Sequence, residues 1–142
     1  MTALSSTLEA VRARVEAQTT LDRSKSIDTL RTMSDALQDK TFAAWPGRTR
    51  NLGGSRASGS MAMVEDEITV EIVGRIRPGV EVASFDTTLD LVDDVRTALT
   101  NAAWWRASGM SCIEWVDDRR TRAGGWVIVV STYRATRQQV LG

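Results

Sequence analysis

Apolar residues recur every three or four positions in two segments of the chain, which is the spacing of one face of an α-helix. They are Leu4, Leu8, Val11 and Val15 in the first segment and Leu89, Val92, Val95, Leu99 and Ala102 in the second. Asp86 is the predicted N-cap of the second helix, and Trp104-Trp105 is its predicted end. A weaker stripe consists of Ile27, Leu30, Met33 and Leu37. It predicts either a further helix or an irregular arm.

Alternation of apolar and polar residues predicts a half-buried β-strand from about Met63 to Arg77. Residues 42–45 are predicted to form a short strand that ends at Pro46-Gly47. Another strand is predicted to start at Ile113 and Trp115. Residues 126–133 are apolar on both faces, so we expect the last strand to lie in the middle of the sheet.

Two charged segments are predicted to be loops. Residues 48–60 contain Arg48, Arg50 and Arg56 with three glycines and no acidic residue, and residues 117–125 form a predicted hairpin loop. The order of elements predicts an α+β fold in one domain, residues 1–142. We expect a single mixed or antiparallel sheet with helices packed on one face and long loops at the sheet edge.

The composition excludes several classes of enzyme. The chain has no histidine and a single cysteine, Cys112. Ser-His-Asp and Cys-His catalysis, histidine-ligated metals, cysteine zinc clusters and intrachain disulfides are therefore excluded. The start of the chain does not have the pattern of a secretory signal, and the longest strongly apolar run, residues 126–130, is too short to cross a bilayer. We expect a protein made and soluble in a cytoplasm, without a membrane partner.

No motif in the sequence predicts a catalytic, cofactor or metal site. Gly54 and Gly59 have the spacing of a phosphate-binding loop, but Ser60-Met61 follows where that loop needs Lys and then Ser or Thr. The paired acids Asp93-Asp94 and Asp117-Asp118 lack the spacing of a calcium loop, and solvated surface is the simpler interpretation. We expect no cofactor.

Charge is segregated along the chain although the net charge is zero. Residues 1–60 carry a net charge of +3, residues 61–100 carry −6, and residues 101–142 carry +3. This distribution is compatible with an ordinary solvated surface. It also fits a self-complementary protein in which the acidic edge of one subunit meets basic segments of the next.

Five tryptophans are many for a chain with one tyrosine and two phenylalanines. Tryptophan is a favoured anchor at protein interfaces, so we expect at least two to contact another chain. Trp104 and Trp105 are the first candidates, because neighbouring residues at a helix end are not expected to point inward together. The other candidate interface residues are Arg48, Arg50, Arg56, Asp117, Asp118, Arg119, Arg120 and Arg122.

The order of elements resembles a known family. The resembling parts are the opening helix at residues 4–15, the alternating strand at 68–73, the helix at 88–99, and a closing hairpin whose charged loop leads into a long apolar strand. This succession is similar to the tail terminator proteins of long-tailed bacteriophages, which are also called tail completion or head-tail joining proteins.

The resemblance implies a structural virion protein of the tail and neck, assembled in the host cytoplasm and without enzymatic activity. Such a protein forms a homohexameric ring that caps the tail tube and joins it to the head-tail connector or stopper protein. Its partners are copies of itself, the tube protein and the connector, while DNA passes through the lumen without specific binding. Glu65, Asp66 and Glu67 are the candidates for an acidic lining of that lumen.

Three other functions remain open from the sequence. One is a different neck, head-completion or tube protein, and another is a small cytoplasmic module that binds protein or nucleic acid. The third is a histidine-free enzyme that uses pairs of Asp and Glu residues.

Overall fold

A computed structural model of the protein describes residues 3–24, 39–53 and 61–140. These residues include a five-stranded sheet in the order β1-β2-β3-β5-β4. The strands are β1 (Asp22–Arg23), β2 (Thr41–Gly53), β3 (Met61–Arg75), β4 (Cys112–Ala123) and β5 (Trp126–Val140). The β1–β2 pair is parallel and the other three pairs are antiparallel. The predicted α+β class with a mixed sheet is confirmed.

The helices are α1 (Leu4–Gln18), α2 (Glu81–Leu99) and α3 (Ala102–Ala107). The main core contains residues from all three helices and alternate residues of the strands, such as Ile68, Val70 and Ile72 of β3. These alternate side chains share one face of the sheet. The described helices therefore pack on a single face, hereafter the helical face.

The opposite face, hereafter the open face, has a smaller apolar cluster. Ala43 and Val73 are buried there beside the partly buried side chains of Trp45, Trp126 and Ile128. Apolar clusters on both faces explain why the first part of β5, residues 126–130, is apolar at every position. The predicted central place of the last strand is confirmed, since β5 lies between β3 and β4.

The prediction that β2 ends at Pro46-Gly47 is wrong, and so is the predicted loop at residues 48–53. The strand continues to Gly53, so Arg48 and Arg50 lie in a strand. Beyond Phe42, β2 has only β3 beside it among the described residues, and an edge strand tolerates a proline without an N–H. The β2–β3 ladder accommodates the proline with a register shift between Pro46 and Thr49. The rest of the predicted loop, including Arg56, lies outside the described residues, as does the stripe from Ile27 to Leu37.

The predicted hairpin loop at residues 117–125 is also wrong. β4 runs through Ala123, which pairs with Trp126, so the turn consists of Gly124 and Gly125 alone. Gly124 has a φ of 58°, a left-handed conformation that glycine adopts without strain. Asp117, Asp118, Arg119, Arg120 and Arg122 are therefore strand residues.

The second predicted helix begins and ends earlier than expected. It starts at Glu81 rather than after Asp86. The Glu81 carboxylate accepts a hydrogen bond of 3.1 Å from the Gly79 amide just before the first turn. Backbone amide donors lower the pKa of Glu81. Trp104 and Trp105 belong to a separate short helix, whose N-cap Asn101 accepts a hydrogen bond from the Trp104 amide.

Gly74 allows α2 to approach β3 closely. A Cβ at this position would overlap the Thr88 hydroxyl and lie 2.9 Å from Thr88 Cβ.

We predict that Gly74→Ala lowers the free energy of unfolding by about 1–3 kcal/mol, because neither the β3 backbone nor the α2 backbone can move without disturbing the core. Gly125→Ala is the control, since a Cβ there approaches only the Ile76 carbonyl at 3.7 Å. Urea denaturation measures both variants, and equal stabilities would contradict this packing argument.

Candidate functional site

A row of charged side chains crosses the open face where β2, β3 and β5 lie side by side. It consists of Arg48, Arg50, Glu65, Glu67 and Arg134. Glu65 is the centre of the row, with Arg50 at 3.1 Å and Arg134 at 3.9 Å from its Oε1 atom. The register explains the contacts, because Glu65 lies opposite Arg50 on β2 and Glu67 lies opposite Arg134 on β5. Positive and negative charges thus alternate across this face.

Asp66 points to the helical face and is fully buried. Its carboxylate accepts hydrogen bonds from Arg137 Nε at 2.6 Å and from the Thr49 hydroxyl at 2.6 Å. Arg137 is only 3% exposed. The prediction that Asp66 lines a lumen is therefore wrong, because successive strand residues point to opposite faces. Glu65 and Glu67 do lie on the open face, where the neighbouring arginines offset their charge.

The Asp66–Arg137 pair fixes the register at one end of the sheet. Two buried charges in contact are tolerated because each supplies the hydrogen bonds that the other loses from water. Removing one partner leaves the other charged and buried, which costs far more than the pair itself contributes.

A groove of about 460 Å³ lies between α2 and β4 on the helical face. We call it the α2/β4 groove, and its lining consists of Leu89, Val92, Asp93, Arg96, Trp115, Val116, Asp117, Asp118 and Arg120. A register shift in β4 between Trp115 and Asp117 gives the strand an extra residue at this point. Such bulges reorient side chains, and this one places Trp115 and Asp118 on the same side of β4.

Arg96 is the central side chain of the α2/β4 groove. It forms ion pairs with Asp118 and with Asp93, and its guanidinium lies over the Trp115 ring at 4.1 Å from the ring centroid. The indole N–H of Trp115 donates to Asp118 at 2.9 Å. These contacts hold the indole in place although the residue is 43% exposed.

Two buried hydroxyl groups on β5 lack hydrogen-bond partners among the described residues. They belong to Tyr133 and Ser131, which lie opposite Trp115 and Asp118 on β5. Tyr133 is 1% exposed, and burial, together with the negative charge of Asp118, raises the pKa of its hydroxyl above the usual range. The Nε atom of Arg96 is also buried without a partner.

Trp104 and Trp105 both turn towards the core, against the expectation that neighbouring residues would not point inward together, and their contact with another chain stays a prediction. Both are partly buried and pack against the main core. Arg14 covers the Trp104 ring at 5.5 Å and Arg106 covers the Trp105 ring at 5.0 Å from the centroid. The two tryptophans lie in the separate short helix α3 rather than at the end of α2, and in α3 both side chains reach the core. Trp115 is the tryptophan that most exposes its ring among the described residues.

The remaining candidates lie on β4. Asp117, Arg119, Arg120 and Arg122 are exposed, while Asp118 is half-buried by its contacts with Arg96 and Trp115.

The sequence analysis did not identify Arg96, Tyr133 or Arg137 as site residues. The sequence carries one signal for Arg137. Alternate residues of the last strand from Val129 onward are expected to face the core, and Arg137 is a charged residue in that series.

Within residues 3–24, 39–53 and 61–140, no three His, Cys, Asp or Glu side chains are grouped to hold a metal ion. Burial raises the pKa of the Cys112 thiol, and Glu114 raises it further, which is opposite to the shift that activates a cysteine nucleophile.

No protein-family model matches the chain, and a search of curated proteins finds no match. In the part of the chain that the structure describes, no helix combines the length and apolarity needed to span a membrane.

We predict that Asp66→Ala lowers the free energy of unfolding by about 3–5 kcal/mol, because it leaves Arg137 charged and buried. Glu65→Gln is the matched control on the next residue and the opposite face. It breaks ion pairs with largely exposed arginines and is expected to cost less than about 1 kcal/mol. Urea denaturation measures both variants, and similar losses would contradict the assignment of Asp66 to the core.

Proposed function

We propose that the chain is a subunit of a ring that caps the tail tube of a long-tailed bacteriophage and joins it to the head connector. The observation that carries this proposal is the presence of two open sheet edges. β2 beyond Phe42 and β4 each have a neighbouring strand on one side only among the described residues, and both carry exposed charged side chains. A subunit with different surfaces at its two edges can associate head to tail, which closes a ring when the rotation between subunits allows.

The open edges are charged, and this supports specific assembly over uncontrolled aggregation. Charged residues on an edge strand oppose pairing with any unrelated strand. Complementary charges instead select one partner and one orientation. The bulge in β4 restricts pairing further, because it interrupts the regular ladder that another strand would extend.

The open face is the surface that we place towards the lumen of the ring. The row holds three arginines and two glutamates, so it is nearly balanced, with a net charge of +1, and it attracts DNA phosphates only weakly. This balanced lining replaces the acidic lining expected from the sequence. In the proposed ring the helical layer lies on the outside. One end of the ring binds the tail tube, and the other end does not offer a surface to which a further tube subunit can bind, so tube growth stops.

The proposal predicts an oligomer, or a monomer that assembles only on a tail tube. Light scattering of the wild-type chain, alone and with the tail tubes of the phage that encodes it, measures the particle mass. We expect about six times the subunit mass of 15.6 kDa. Raising the salt concentration about tenfold, from about 0.05 M to about 0.5 M, is expected to shift the population towards monomer because salt screens exposed charges.

A chain that stays monomeric at every concentration and ignores tail tubes would contradict the proposal. If that monomer instead retards DNA in an electrophoretic mobility assay at moderate salt, a nucleic-acid-binding module becomes the better account.

A further inference from the structure

Basic side chains are concentrated at one end of the sheet, hereafter the hairpin end. β3 and β4 end here and β5 begins here, since the last residues of β3 and β4 both pair with the first residue of β5. Residues 39–41, 75–82 and 119–126 contain six basic residues, all exposed, and only two acidic ones. A chain without net charge therefore has a basic surface at one end. Four of the six basic residues, hereafter the hairpin-end arginines, are Arg75, Arg119, Arg120 and Arg122.

Both acidic residues at the hairpin end already have partners within the chain. Asp39 accepts hydrogen bonds from the Arg75 amide at 2.8 Å and from the Arg77 guanidinium at 3.3 Å. Backbone amides, and then the charge of Arg122, lower the pKa of Glu81 at the start of α2. The guanidinium groups of the hairpin-end arginines make no ion pair or hydrogen bond within the described residues. Their N–H donors are therefore available to a ligand.

An aromatic ring orients one of these guanidinium groups. The Arg75 guanidinium lies over the Trp126 ring, 6.0 Å from the ring centroid, and Trp126 is itself partly buried. Stacking restrains the plane of a guanidinium while the N–H groups at its rim stay free to donate. Phosphate oxygens accept two such N–H bonds in parallel, so this arrangement suits a phosphate group.

The backbone beside the arginines is accessible. β4 is an edge strand among the described residues, so Arg119 on the open face and Arg120 on the helical face border the same free edge. At the turn between β4 and β5, a Cβ on Gly124 would meet nothing within 4 Å. A bulky ligand can therefore approach both the edge and the turn, within reach of long arginine side chains from either face.

We propose that the hairpin end binds the phosphate backbone of double-stranded DNA. Unpaired guanidinium groups at the end of the sheet match the closely spaced phosphate charges of a duplex. Phosphate contacts carry no sequence information, so binding is independent of sequence. Single strands bind through stacking of their bases on aromatic rings, and Arg75 already covers Trp126, which is the one aromatic residue in the three segments of the hairpin end.

In the proposed ring, the hairpin end lies at one mouth of the lumen. Neighbouring subunits meet through the β2 and β4 edges, so the strands stand side by side around the ring and their ends face its two openings. DNA that passes this mouth then meets the hairpin-end arginines of every subunit. The place at the mouth rests on the proposed ring function, whereas DNA binding by the hairpin end does not.

Fluorescence anisotropy of a labelled DNA duplex tests the site, at about 0.1 M salt where the screening length is about 10 Å. Arg75→Glu combined with Arg122→Glu is expected to weaken the affinity about tenfold or more. The slope of log affinity against log salt is expected to become shallower by about two, one for each lost phosphate contact. Circular dichroism and sedimentation velocity without DNA check that the variant is folded and keeps the wild-type particle mass.

Arg106→Glu combined with Arg134→Glu is the matched control, because it changes the net charge equally at exposed arginines of α3 and β5 away from the hairpin end. It is expected to keep the affinity within about twofold of the wild type. Val82→Ser tests an acidic protein as the competing occupant. Such a partner would also cover the Val82 side chain, which is 76% exposed beside the basic surface, so DNA affinity is expected to stay unchanged in this variant.

A wild-type chain that does not bind the duplex would overturn the DNA site and leave the ring function intact. Loss of tail-tube binding in Val82→Ser and in the Arg75/Arg122 variant would then assign the hairpin end to a protein partner. Equal weakening by both double variants would also overturn the site, because binding would then follow net charge alone. A monomeric wild type that binds DNA through the hairpin end would support this site and contradict the ring.

Discussion

The antiparallel pairing of β3 with β5 is the constraint on which the rest of the structure depends. It runs without interruption over fifteen residue pairs, from Met61–Val140 to Arg75–Trp126. A shift of one residue would move every side chain of a strand to the opposite face. The burial of Asp66 against Arg137 and the close approach of Gly74 to Thr88 act near opposite ends of β3. The Asp66–Arg137 contact joins β3 to β5 directly and depends on this register.

The fixed register gives the two faces of the sheet different roles. On the helical face it aligns apolar residues under α1 and α2, and it places Tyr133 and Ser131 opposite Trp115 and Asp118 of β4. On the open face it aligns glutamates of β3 with arginines of β2 and β5. The strands that flank this central pair, β2 and β4, retain unpaired outer edges within the described residues. In the proposed ring, the core supplies a rigid frame and the edges supply the contacts.

The sequence predicts the elements whose pattern reflects burial. Alternation in β3 and the stripe Leu89 to Leu99 in α2 are strong because one face of each element contacts the core. β2 beyond Trp45 and β4 beyond Asp117 are mostly exposed, so they have no alternation to detect and resemble loops. Glu65-Asp66-Glu67 looks like an acidic surface run, although alternation already places Asp66 on the buried side. Its partner Arg137 is 71 residues away, and no local pattern indicates such a contact.

Hydrogen exchange tests most directly whether the two open edges are the assembling surfaces. Backbone amides of the wild-type chain are compared by mass spectrometry in dilute and in concentrated solution. The account predicts that exchange slows on concentration in residues 46–53 of β2 and 112–120 of β4, while the α2 residues that face away from the groove keep their rates. Unchanged exchange in both strands, or new protection confined to the helices, would contradict it.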